Sequence, residues 1–345
     1  MANSSYCGDF DNLVSAYYSI HGYASLAVCL AGTVSTGLSM VVLSRPELAA
    51  PTSSLLSALA AADALVMLEY VPYTLHQYIL VDRPAAERFS YGWAVYVLFH
   101  AIFTQIFHTI SIWLTVTLAV WRYLAVRFPI QSKLWCTAKG TRYAILAACV
   151  GSTIICIPLY LSFSVSPFKD GTVYYVRLSE LGGVGERLLI HINFWIYSVL
   201  IKLLPCVILS FLSQRLLAAL WENKQRRRSL LNKDDKDGDR TSRLLMAVLI
   251  LFLVTELPQG ILGLMTVFLG YDFFAQCYNS LGELMDLLAL TSSTLNFPLY
   301  CLMSRQFRAT FAAISRKAFS KVFEKDTSVS SNESVKGQEN RGAQL

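Results

Sequence analysis

Three stretches of the chain contain no Asp, Glu, Lys or Arg: Gly22 to Ser44, Phe89 to Trp121 and Tyr143 to Phe168, of 23, 33 and 26 residues. A helix crosses a hydrocarbon core of about 30 Å with roughly 20 mostly apolar residues, so each stretch can span a bilayer. Four more apolar stretches carry isolated charges: 52–78 (Asp63, Glu69), 188–214 (Lys202), 244–271 (Glu256) and 278–304 (Glu283, Asp286). The count is seven, which puts the two termini on opposite sides of the membrane.

Composition agrees: 54% of residues are apolar and only 15% are charged, against about 25% charged in soluble domains. A disordered chain and a soluble enzyme are excluded. The net charge of +6 is no sign of a nucleic-acid partner, because the basic residues follow topology. With the N-terminus outside, the outer segments hold only Arg83, Arg88, Lys169, Arg177 and Arg187, while 23 of 29 Lys and Arg fall in inner loops and tail. Retention of basic residues on the cytoplasmic side selects that orientation. The expected fold is all-α, a seven-helix plasma-membrane protein with an extracellular N-terminus. Its segments are a tail (1–20), the bundle (21–303), an amphipathic helix on the inner leaflet (304–320) and a disordered tail (321–345). Asn3-Ser4-Ser5 is a glycosylation acceptor.

No Walker motif, HExxH or GxSxG appears, and the histidines are dispersed, so neither enzyme chemistry nor a metal cluster is indicated. Ionisable groups at membrane depth are the functional candidates, since each is costly unless partnered. Asp63 falls at mid-membrane. Lys202, before Pro205, and Glu256, before Pro258, fall near the midplane of neighbouring spans, where a mutual ion pair answers the cost of burying either alone. Glu283 and Asp286 lie three residues apart on span seven. A cavity lined by Glu69, Glu256 and Asp286 would suit a guanidinium, with Tyr73, Phe103, Phe107 and His108 around an aromatic ring. Gln105, His108 and Gln259 can meet a peptide amide, or satisfy one another. A transporter or channel relaying ions or protons through Asp63, Lys202 and Glu256 is the competing reading.

Leu59-Ala60-Ala61-Ala62-Asp63, Trp121-Arg122-Tyr123 at the end of span three, Pro205, Pro258, Asn296-Phe297-Pro298-Leu299-Tyr300 and Phe307-Arg308 occur in the order found in rhodopsin-like G-protein-coupled receptors, which the chain resembles over about 300 residues. Thr115 to Tyr123, Asp239-Arg240-Thr241, Thr255 to Gly260 and Met303 to Arg308 resemble the invertebrate myosuppressin, FMRFamide-like and sex-peptide receptor group. The resemblance implies a receptor for a short C-terminally amidated peptide, signalling through an inhibitory heterotrimeric G protein. It also implies a sodium ion at Asp63, Ser111, Ser293 and Asn296, the only bound group called for. Arg122 would engage the G protein, with Ile112, Pro205, Phe252 and Tyr300 as the repacking switch. Ser328, Ser330, Ser331 and Ser334 would carry phosphates for arrestin.

The chain departs from that pattern in places. Glu256 stands where the family has a Trp switch, Phe297 where it has Pro, and Trp121 where an acid holds the following Arg; Asp239 or Asp237 would replace that acid. Val97 occupies a usual Cys position, and 165–187 contains no Cys. Under the topology above, Cys7 and Cys277 are the outer pair and an expected disulfide, with two free thiols as the alternative.

Overall fold

The computed structural model describes residues 11–168, 171–178, 191–231, 236–270, 273–317 and 320. Its principal helices are α1 (Asp11–Leu43), α2 (Pro51–Thr74), α3 (Tyr91–Arg127), α4 (Ala138–Ile155), α5 (Leu204–Leu231), α6 (Lys236–Leu269), α7 (Asn279–Met303) and α8 (Arg305–Lys317). Among the described residues six helical stretches are each long and apolar enough to cross a membrane, and counting the α7–α8 pair, bent by 96°, as one span makes seven. The architecture is an all-α bundle in which α1 packs on α2 and α7, α3 on α2, α4 and α5, and α6 on α5 and α7. In lipid only such internally hydrogen-bonded elements are stable across the core.

Helix boundaries differ from the sequence reading for identifiable reasons. α1 begins at Asp11, within the segment read as tail, because the absence of charge marks the hydrocarbon core and not the ends of a helix. α3 runs on through Arg122 to Arg127. Span four stops at Ser162, and Phe163–Pro167 (β1) pairs antiparallel with Tyr174–Leu178 (β2). Phe163 to Ser166 alternates apolar and polar residues, the period of a strand, so freedom from charge alone overestimated the helix. The hairpin is held beside the start of α3: Tyr174 N donates to Phe89 O at 2.8 Å, and the Tyr91 and Tyr174 rings meet edge-on at 5.3 Å.

Two local devices set the approach of the helices. A Cβ at Gly32 would lie 2.1 Å from Met67 Sδ and 2.6 Å from Thr294 Oγ1, so glycine there lets α1 seat against α2 and α7. In span five the wide helical turns Ile196–Leu203 precede Pro205. Proline has no N–H for the carbonyl one turn back, and the Leu204 N–H bonds Val199 O, five residues back. Such wide turns recur at functional sites. They carry Lys202.

Candidate functional site

The five acids that the sequence places within spans have different surroundings. Glu256 faces Lys202, with Nζ to Oε2 at 2.7 Å, and both side chains are buried. His108 Nε2 lies 2.9 Å from Lys202 Nζ and 3.2 Å from Glu256 Oε2. That nitrogen can accept from the ammonium or donate to the carboxylate, but not both at once. The sequence supports this arrangement locally. The wide turns rotate Lys202 inward, and Gly260, one turn beyond Glu256, leaves room for the lysine stem: a Cβ there would lie 2.9 Å from Lys202 Cβ.

Glu69 and Glu283 are turned to other partners. Glu69 Oε2 pairs with His100 Nδ1 at 2.6 Å, the His100 ring stacks on Tyr73 at 3.8 Å, and Tyr96 Oη donates to the Glu69 carbonyl at 2.9 Å. Glu283 Oε2 pairs with His21 Nε2 at 3.0 Å and accepts from Tyr78 Oη, while Tyr17 Oη contacts His21 Nδ1 at 2.9 Å. These two acids tie α2 to α3 and α1 to α7. His21, Tyr78 and His100 were not singled out from the sequence; the available signal was that an acid at membrane depth demands a base on some other span.

Asp63 is buried and accepts from Ser111 Oγ at 2.7 Å and Ser293 Oγ at 3.2 Å on Oδ1, and from Asn296 Nδ2 at 3.0 Å on Oδ2. One carboxylate, two hydroxyl oxygens and an amide make an oxygen-rich set that fits a hard cation. The hydroxyl lone pairs stay available while their protons point at the carboxylate.

A cavity lies between these groups. Its lining includes Asp63, His100, Thr104, Gln105, His108, Lys202, Gln259, Asp286 and Ser293. Of the three carboxylates expected around one guanidinium, Asp286 lines this cavity, while Glu69 and Glu256 are paired with side chains of neighbouring spans. His100 covers Glu69, and Lys202 with His108 covers Glu256. Tyr73 is likewise engaged by His100 and does not line the cavity. Glu283, three residues before Asp286, faces α1 and α2; at 100° per residue the two side chains diverge by about 60°, enough to serve different neighbours. Among the described residues Asp286 forms no ion pair. Gln259 Oε1 is buried without a hydrogen-bond partner, and Gln105 Nε2 donates to Thr109 Oγ1 at 3.2 Å. The cavity thus presents a carboxylate at Asp286, an ammonium at Lys202 and a vacant acceptor at Gln259, a set suited to a dipolar ligand.

Toward the other end of the bundle, Ile112 and Phe252 share one buried cluster with Ile201, Cys206 and Leu209, and Pro205 is fully buried. Trp121 packs with Leu55, Leu59 and Leu114, so the residue before Arg122 is a wedge in the core rather than a charge partner. Tyr300 is buried beside Val42 and Phe307, and its hydroxyl has no hydrogen-bond partner among the described residues. An exposed pair, Arg127 to Glu222 at 3.2 Å, joins α3 to α5. The side chains of Asp237 and Asp239 lie outside the described residues, as do Asn3, Cys7 and residues 321–345 with their serines. Six cysteines, Cys29, Cys136, Cys149, Cys156, Cys206 and Cys301, are free; Cys277 is buried and is not among them.

The structure is thus an all-α bundle of six, or with the bent pair seven, membrane-length helices with partnered charges in its interior. The family model described as Serpentine type 7TM GPCR chemoreceptor Srw matches residues 23–317, and the chain belongs to this family of G-protein-coupled receptors. It is 27% identical to the G-protein coupled receptor dmsr-1 of Caenorhabditis elegans, over 88% of this chain and 69% of that protein. Against the Sex peptide receptor of Drosophila melanogaster the identity is 28%, over 86% and 72%. The FMRFamide receptor of the same fly is 23% identical, over 82% of this chain and 51% of that receptor.

Proposed function

We propose that the protein is a receptor for a short C-terminally amidated neuropeptide, bound in an outward-facing cavity and reported to an inhibitory heterotrimeric G protein. The observation that carries this reading is Asp286, which lines the cavity and forms no ion pair among the described residues; the other acid in that lining, Asp63, is held by Ser111, Ser293 and Asn296. A guanidinium delivers a flat fork of donors to such a carboxylate. A terminal carboxamide supplies both remaining needs: its N–H meets Gln259 Oε1, and its carbonyl accepts from Lys202 or His108. A free carboxylate would instead bring negative charge toward Asp286 and Asp63. The names of the sex peptide and FMRFamide receptors among the relatives point to peptides of this kind.

In this reading Glu69 and Glu283 hold the walls, and Glu256 is reached only by displacing Lys202. Asp63, Ser111, Ser293 and Asn296 hold a sodium ion whose charge would stabilise the resting arrangement. Movement of Ile112, Pro205 and Phe252 opens the inner face, where Arg122 and Tyr300 meet the G protein. The N-terminus is extracellular at the plasma membrane, glycosylated at Asn3 and tied by Cys7–Cys277, and the phosphorylated tail recruits arrestin. Membership of a receptor family disfavours the transporter reading.

The test is agonist-dependent nucleotide exchange on a purified G protein, using peptides ending Arg-Phe-amide and their free-acid forms. Exchange driven by the amides and not by the acids supports the proposal; exchange by neither across an amidated-peptide panel sinks the ligand class.

A further inference from the structure

Beside the junction of α7 and α8, the turn after α1 and the helix α8 enclose a groove lined by Arg45 and Glu47 from the turn and by Gln306, Ala309, Ala313 and Lys317 from the helix. The two walls are fastened together. Gln306 Nε2 donates to the Glu47 carbonyl, and Phe307 on the neighbouring face of α8 is buried with Val42, Leu43 and Tyr300. Ala309 and Ala313, one helical turn apart, leave a floor of methyl groups. Arg45, Glu47 and Lys317 are exposed, and none forms an ion pair among the described residues. The groove therefore combines two uncommitted cations, one uncommitted acid and an apolar floor at the edge of a membrane bundle.

We propose that this groove binds an anionic phospholipid, phosphatidylserine, with its headgroup between Arg45 and Lys317 and its glycerol end along Ala309 and Ala313. Charge complementarity selects the occupant. The lipid carries a phosphate, a carboxylate and an ammonium, net −1, and the groove offers two cations and one carboxylate, net +1. Phosphate and carboxylate pair with the Arg45 guanidinium and Lys317 ammonium, and the lipid ammonium pairs with Glu47. A soluble anion would have no use for the alanine floor, and a purely apolar ligand none for the cations. Anionic lipids are concentrated in the cytoplasmic leaflet, the leaflet that the topology proposed above assigns to α8. Because Phe307 and Tyr300 share a cluster, the bound lipid would steady the inner end of α7.

The full-length receptor is placed in nanodiscs of phosphatidylcholine and phosphatidylserine, released, and its retained lipids are counted by native mass spectrometry. Both leaflets carry both lipids, so the result is independent of topology and of the peptide ligand. The wild type is expected to retain phosphatidylserine, and Arg45→Gln/Lys317→Gln to retain about 100-fold less, about tenfold for each of the two lost charge-assisted contacts. Arg316→Gln should retain it fully. Equal retention in the double variant overturns the proposal, as does displacement of the lipid from the wild type by inorganic phosphate, which would make the groove a free-phosphate site. A photoactivatable phosphatidylserine should label wild-type peptides covering 44–48 and 306–317; labelling confined to other segments also overturns it.

Discussion

Lys202 Nζ stands 2.7 Å from Glu256 Oε2 in the buried interior, with His108 Nε2 within 3.2 Å of both. The sequence puts both residues near the midplane of their spans, and the resemblance to rhodopsin-like receptors puts Glu256 where they carry a Trp. Formation of the pair needs three separate features: wide turns at Ile196–Leu203, the absence of a side chain at Gly260, and an acid two residues before Pro258.

Removing either partner leaves the other charge buried and uncompensated, which costs about 3–5 kcal/mol. Lys202→Met and Glu256→Gln should each lower thermal stability of the purified receptor strongly. The double variant should recover much of the loss, since no lone charge remains. A double variant no more stable than the singles would show that the pair is not what the singles disrupt.

Asp286 and Glu283 should separate function from structure. Asp286→Asn is expected to reduce the potency of a peptide ending Arg-Phe-amide by about 10- to 100-fold, as for loss of a hydrogen-bonded charge pair. Glu283→Gln should leave potency intact while lowering thermal stability, because its partners are His21 and Tyr78. Concentration–response curves beside melting curves decide this, and a potency loss confined to Glu283→Gln would reverse the assignment.

Asp63→Asn retains a polar group for Ser111 and Asn296 but removes the charge a cation requires. Agonist affinity in the wild type should fall as sodium replaces a large organic cation at constant ionic strength, and the variant should not respond. A sodium effect that survives in the variant places the ion elsewhere.

Gly260→Ala puts a methyl 2.9 Å from Lys202 Cβ, and overpacking of this kind costs about 1–3 kcal/mol. Gly37→Ala, where a Cβ meets nothing within 4 Å, should instead be neutral or stabilising, since alanine is the better helix former by about 1 kcal/mol. The difference between the two melting temperatures is the measurement; equal behaviour would remove the close-approach argument for span five.

Much of the architecture is legible because hydropathy accumulates residue by residue. The runs containing Cys29, Leu114 and Cys149 are helices, as their length and composition require. The Asp63 neighbours Ser111, Ser293 and Asn296 are legible through motif resemblance. The hairpin at Phe163 was hidden, because an absence of charge does not distinguish a helix from a short paired strand.

The sequence alone determined which acids lie at membrane depth, since that depends only on position along an apolar run. It also required each to find a partner or a use, since a lone buried charge is costly whatever the fold. Which base meets which acid was decided by tertiary structure. Rotation of each helix about its axis turned Glu69 to His100, Glu283 to His21 and Tyr78, and Glu256 to Lys202. Asp286 was left facing the cavity. That rotation is set by glycine contacts, wide turns and packing between spans, interactions that no single stretch of chain contains.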